Sequence, residues 1–244
     1  MAQYCAALLA CGATCIRIDR NVERIARAYG LDAHATIMPR HVHLSVCDRD
    51  GCDVHTAIAT VPDTGISFDM NTRLSRLSWE VADTRPPLDF FESRYTAIMR
   101  GSRRHLRATP LLVALANASF CRLFGGDAGA MGVVFAATIA GYYVKLRLLA
   151  AGVDSRAVFA ICAFVSSVIG ATCSLFDIGS RPSIALGTSV LYLVPGIPYL
   201  NSFSDMLYRR YLCALGRFAD AMVLTCCLSA GMCAGMWLMG AKMF

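Results

Sequence analysis

The sequence predicts an α-helical membrane bundle of about five transmembrane helices preceded by a small α+β cytoplasmic domain. Three observations carry that class. Only 16% of the 244 residues are charged (23 Lys plus Arg, 17 Asp plus Glu) while 56% are apolar, against about 25% charged in ordinary soluble domains. The charges are uneven, for residues 1–107 hold 26 of them and all five histidines, whereas residues 108–244 hold 14. Those 14 bracket uncharged runs at 108–121, 128–144, 157–176, 182–204 and 221–241, and a bilayer core needs about 17 to 25 apolar residues of helix. The last four runs reach that length and the first is marginal. Spans are therefore expected near 108–124, 127–144, 157–176, 183–204 and 218–240, behind a domain over 1–107 that is too charged for lipid. A wholly soluble enzyme, a disordered chain and a secreted disulfide scaffold are excluded.

Along the chain, the first apolar stretch, Ala6 to Ala10, is short, lacks a basic lead-in and is followed by Arg17, Asp19 and Arg20, unlike a signal peptide. Leu8, Cys11, Cys15, Ile18, Val22, Ile25 and Tyr29 recur every three or four residues opposite Arg17, Arg20, Arg24 and Arg27. This spacing predicts an amphipathic helix stopped by Gly30. Strands are expected over Ala33 to Met38, His41 to Cys47 and Val54 to Val61, with turn chemistry at Asp48 to Gly51. Helices over Asn71 to Val81 and Leu88 to Met99 flank a break at Pro86-Pro87.

The twelve cysteines form no regular framework, and Cys11/Cys15 and Cys47/Cys52 lack zinc-site spacing, so reduced packing residues are expected. No metal site and no cofactor is predicted. His41 and His43 share one strand face and His55 falls on the next strand, which makes a metal cluster geometrically conceivable against a background reading of incidental polarity. The net charge of +6 lies beside the apolar runs and does not indicate nucleic acid. With the N-terminus inside, ten basic residues flank the inner ends of the spans and three the outer ends. The positive-inside rule then places the N-terminal domain in the cytoplasm and the C-terminus outside. The odd span count leaves room for a partner of complementary topology and for a homo-oligomer.

The most informative segment is Ser189 to Asp205. Pro195 and Pro198 remove helical N–H donors, Gly196 loosens the backbone, and the fourth span should break there. Broken backbone at membrane depth is tolerated only where protein or a water-filled cavity satisfies the freed groups, and in transporters such breaks often hold substrate. Asn201 and Asp205, four residues apart, share a helical face beyond the break. Against this stands a simple proline kink, with Asp205 paired to Arg209 at i,i+4. Asn117 in the first run either hydrogen-bonds substrate or cross-links neighbouring helices. Gly231 and Gly235, with Ala230 and Ala234, form a small face for close helix packing.

The segment Val190-Leu-Tyr-Leu-Val-Pro-Gly-Ile-Pro-Tyr-Leu-Asn201, with Asp205 four residues on, resembles the signature of the threonine/serine exporter family of bacterial inner-membrane proteins. Leu9-Ala-Cys-Gly-Ala-Thr-Cys-Ile-Arg-Ile-Asp19 resembles its opening Gly-Ala-x-x-x-Arg-Val-Glu pattern, with Asp19 where Glu is common. Val61 to Leu77, with Gly65, Ile66 and Asp69, resembles the stretch closing its soluble region. Fused exporters continue with a second membrane half, so the resemblance implies the larger subunit of a split exporter. It also implies a small partner of four or five spans and proton-coupled efflux of threonine/serine-like amino acids or dicarboxylates such as succinate. The site residues it implies are Pro195, Gly196, Pro198, Asn201 and Asp205.

Two other classes remain. An intramembrane aspartyl protease needs two close carboxylates, yet every aspartate of the membrane region falls at a run end. A membrane-anchored ligand-binding or regulatory protein would use the spans only as an anchor.

Overall fold

The alternation after Gly30 is realised as a three-stranded antiparallel sheet, β1 (Leu31–Ile37), β2 (His41–Asp48) and β3 (Val54–Thr60), in the order β1-β2-β3. The computed structural model describes residues 1–48, 53–62, 65–101, 108–176 and 181–240. Residues 49–51 of the expected turn, together with Cys52, Asp177 and Phe244, lie outside the described residues. The chain divides into two compact units, Met1–Arg104 with Gly196–Asp220, and His105–Pro195 with Ala221–Phe244.

In the first unit, Val42 pairs with Ile37 and Ala59, and Leu44 with Ala35 and Ala57, so one sheet face is apolar. Helices α1 (Ala2–Ala10) and α2 (Cys15–Ala28) cover that face, α3 (Phe68–Thr84) packs on α2, and α4 (Leu88–Gly101) packs on α3. Tyr4, Leu8, Ile18, Val22, Ile25, Val42, Leu44 and Leu74 form the core. Each large aliphatic side chain withdrawn from water there contributes about 1.5–3 kcal/mol. Ser67 caps α3 by accepting the Met70 N–H at 3.3 Å. At its other end Arg85 turns left-handed (φ 44°) and its N–H still bonds Val81 O, closing the helix ahead of Pro86.

The single amphipathic helix expected over Leu8 to Tyr29 is two helices. Gly12 adopts φ 89°, its N–H bonds Leu9 O at 3.2 Å, and the Ala13 N–H bonds Leu8 O at 3.0 Å. This is the Schellman closure of α1, in which the left-handed position favours glycine. A Cβ at Gly12 would lie 3.1 Å from Ile66 Cγ2. α2 then starts at Cys15 with Thr14 as its N-cap, yet the Thr14 hydroxyl makes no capping bond.

The first unit also contains α9 (Gly196–Leu207) and the beginning of α10 (Tyr211–Leu238). α9 ends in a second Schellman closure, the Arg209 N–H bonding Met206 O and the Arg210 N–H bonding Asp205 O at 2.8 Å. Here Arg209 takes the left-handed position, at φ 60°.

The second unit contains α5 (Thr109–Leu123), α6 (Ala128–Ala150), α7 (Ser155–Leu175), α8 (Pro182–Ser189) and the remainder of α10. Asp127 and Asp154 cap α6 and α7. Gly231 and Gly235 press α10 on α7, where a Cβ would collide with Ala160 O and Ser167 Oγ respectively. The small face read from the sequence is thus filled from within the chain.

The protein is mostly helical with a small N-terminal sheet. Among the described residues α6, α7 and α10 are long and apolar enough to cross a bilayer. Residues Pro182–Leu193 and Gly196–Leu207 supply a fourth crossing if taken as one broken span, and α5 is a shorter apolar helix.

Candidate functional site

The break in the proline segment is local and well defined. α8 ends at Ser189, a 3-10 turn covers Leu191–Leu193, Val194 is extended (ψ 124°), and α9 begins at Gly196. Leu191 O, which a continuous helix would bond from residue 195, accepts the Val194 N–H at 3.1 Å instead. One carbonyl freed by Pro195 is therefore satisfied by a tighter turn. Pro198 falls in the first turn of α9, where an N–H has no intrahelical partner to lose.

Within the first unit, Asn201 and Asp205 project from α9 onto the corner between α1 and α2. That corner presents three backbone groups left over by its two helix ends. Asn201 Nδ2 donates to Gly12 O at 2.8 Å. Asp205 Oδ1 accepts the Cys15 N–H at 2.8 Å, supplying from a distant part of the chain the cap that Thr14 does not make. Arg217, on the first part of α10, donates from Nη2 to Ala13 O at 2.6 Å. Its Nε stands 3.5 Å from Asp205 Oδ2, within ion-pair range but too long for a hydrogen bond.

Asp205 is fully buried, the Arg217 side chain is 13% exposed, and Asp205 Oδ2 and Arg217 Nη1 have no hydrogen-bond partner among the described residues. Withdrawing a carboxylate and a guanidinium from water costs several kcal/mol each unless geometry compensates. This pair is compensated only in part, which makes it a sensitive element. Ser202 Oγ donates to Ala214 O at 2.8 Å and fastens α9 to α10. Arg210 pairs with Asp19 of α2. Burial lifts the Asp19 carboxyl above its ordinary range, and Arg210 opposes that rise.

The ion partner of Asp205 is thus Arg217 and not Arg209, which lies past the helix end. As site residues the sequence reading missed Arg217, Cys15 and the Gly12 and Ala13 carbonyls. The Gly12-Ala13-Thr14 run, a glycine closure followed by an N-cap residue, was the available signal for the corner.

In the second unit, Asn117 is 3% exposed and its amide donates to Thr138 Oγ1 at 2.7 Å and Thr188 O at 2.9 Å. It therefore cross-links α5, α6 and α8. Ser166 Oγ and Tyr192 OH, 3.1 Å apart, add a second polar contact. The register separates the three histidines: His55 opposes Val46, on the face of Val42 and Leu44, while His41 and His43 lie on the other face.

The profile of a family described as “Putative threonine/serine exporter” matches residues 1–239. A protein of Klebsiella aerogenes named “Probable succinate transporter subunit YjjP” is 30% identical over 236 residues, covering 94% of this chain and 90% of that protein. Its namesake in Escherichia coli K12 is 27% identical over 239 residues, covering 96% and 91%. No solved structure matches the chain.

Proposed function

The chain belongs to the threonine/serine exporter family, whose members are transporters and not enzymes, and from that premise we propose that it is the larger subunit of a split, secondary-active exporter of dicarboxylates such as succinate in the bacterial inner membrane. The observation that carries this reading is the near full-length likeness to two proteins named as succinate transporter subunits. It favours a dicarboxylate over a threonine-like cargo, and the word subunit implies a partner. The proposed partner is a small membrane protein of four or five spans.

Counting α5 and the broken pair of Pro182–Leu193 with Gly196–Leu207 as one span each gives five crossings. Residues 1–107 then form a cytoplasmic domain and the C-terminus lies outside, in accord with the distribution of basic residues. In this reading the break at Pro195-Gly196-Ile197-Pro198 borders the substrate path and Asn201, Asp205 and Arg217 form a gate. Coupling to an inward proton gradient would act by biasing the hold of Asn201, Asp205 and Arg217 on the α1–α2 corner.

The test is succinate efflux from preloaded cells lacking their own exporter. Efflux is expected only when this chain and its small partner are expressed together, collapsing with a protonophore. Full efflux by this chain alone would sink the split-subunit reading, and efflux of threonine without succinate would reassign the cargo.

A further inference from the structure

We propose that Cys15, Cys213 and Asp205 bind a thiophilic divalent cation of the zinc class. Both Sγ atoms and a carboxylate oxygen lie within 4.8 Å of one another, and all three residues are buried. Tetrahedral zinc, with Zn–S about 2.3 Å and Zn–O about 2.0–2.2 Å, sets its ligand atoms roughly 3.5–3.8 Å apart, so closure around an ion needs a contraction of about 1.3 Å at most. Asp205 Oδ1 is held by the Cys15 N–H, and Oδ2, buried, 3.5 Å from Arg217 Nε and without a hydrogen bond among the described residues, is the oxygen assigned to the ion.

Charge supports the same assignment. Two thiolates, one carboxylate and the Arg217 guanidinium sum to minus two, which one divalent ion cancels. Cysteine ligates a metal as its thiolate. Arg217, bonded to Ala13 O, would orient the carboxylate from behind as an outer-shell partner.

An ion there would tie α2, α9 and α10 together. The inference shares residues with the proposed gate, yet its test needs no transport.

The full-length protein, purified in detergent with reducing agent, is titrated with Co²⁺. A thiolate-to-cobalt charge-transfer band saturating at one equivalent and bleached by Zn²⁺ is expected. Cys15→Ser and Cys213→Ser should each abolish the band, Arg217→Lys should weaken binding on the order of 10- to 100-fold, and Cys226→Ser should leave it intact. X-ray absorption of the zinc-loaded wild type, which requires no variant to fold, should show two sulfur neighbours. No band, a band surviving both cysteine substitutions, or a sulfur-free zinc shell would overturn the site. The efflux reading stands or falls separately, in metal-free medium.

Discussion

The carboxylate of Asp205 caps a helix that begins 190 residues earlier in the chain, accepting the Cys15 N–H at 2.8 Å. The same side chain faces Arg217, so one residue satisfies a helix end and balances a buried cation.

Substitution at Asp205 should separate these tasks. Asp205→Asn keeps an oxygen for the Cys15 N–H but loses the charge. Asp205→Ala loses both and strands Arg217, adding the cost of a lost cap, about 0.5–2 kcal/mol, to that of an unpartnered buried charge. Thermal unfolding in detergent should rank wild type above Asn and Asn above Ala. In cells, folded Asp205→Asn should lose gradient-driven efflux, and normal efflux with normal pH dependence would remove Asp205 from the gate.

Gly12→Ala should destabilise the protein by about 1–2 kcal/mol from the left-handed backbone alone, with the 3.1 Å approach to Ile66 adding to it. Gly30→Ala is a useful comparison, because Gly30 has φ 74° but nothing within 4 Å of its would-be Cβ. A melting point lowered equally by both would show that Ile66 contributes nothing.

Arg209→Gly should act in the opposite direction. The left-handed position closing α9 suits glycine, and the gain should be about 0.5 kcal/mol. A fall in melting temperature would mean that the Arg209 side chain makes a contact worth more than its backbone strain.

Asn117→Ala removes the donor to Thr138 and Thr188 from a buried position, which should cost about 1–3 kcal/mol. If its role is cross-linking, the succinate concentration for half-maximal efflux should be unchanged in the folded fraction. A selective rise in that concentration would give Asn117 a place on the substrate path.

Much of the fold is legible in the residues because its signals are local. Alternation gives β1 to β3 to within two residues, Pro86-Pro87 marks the end of α3, and the uncharged runs anticipate α5 to α8 and α10. The α1–α2 corner is not legible by periodicity, since Leu8, Cys11, Cys15 and Ile18 keep their spacing across the break while the backbone between them leaves the helix, left-handed at Gly12 and extended at Thr14. At the candidate site Asn201 and Asp205 stand out by their shared face beyond two prolines. Arg217 does not, because it lies on another helix and acquires its meaning only from where tertiary packing sets its guanidinium. The histidine cluster fails for a related reason, since strand neighbours share a face only in the correct register, and His55 is out of phase with His41 and His43.

The distant cap on α2 has a consequence for biogenesis. A ribosome adding about 5–20 residues per second needs roughly 10 to 40 seconds after finishing Cys15 to deliver Asp205. Throughout that interval the emerging α1–α2 corner offers the Gly12 and Ala13 carbonyls and the Cys15 amide to water or to a chaperone. The first helices to be synthesised are thus among the last to be completed, and a nascent chain stalled before Gly196 would carry an unfinished corner recognisable to quality control.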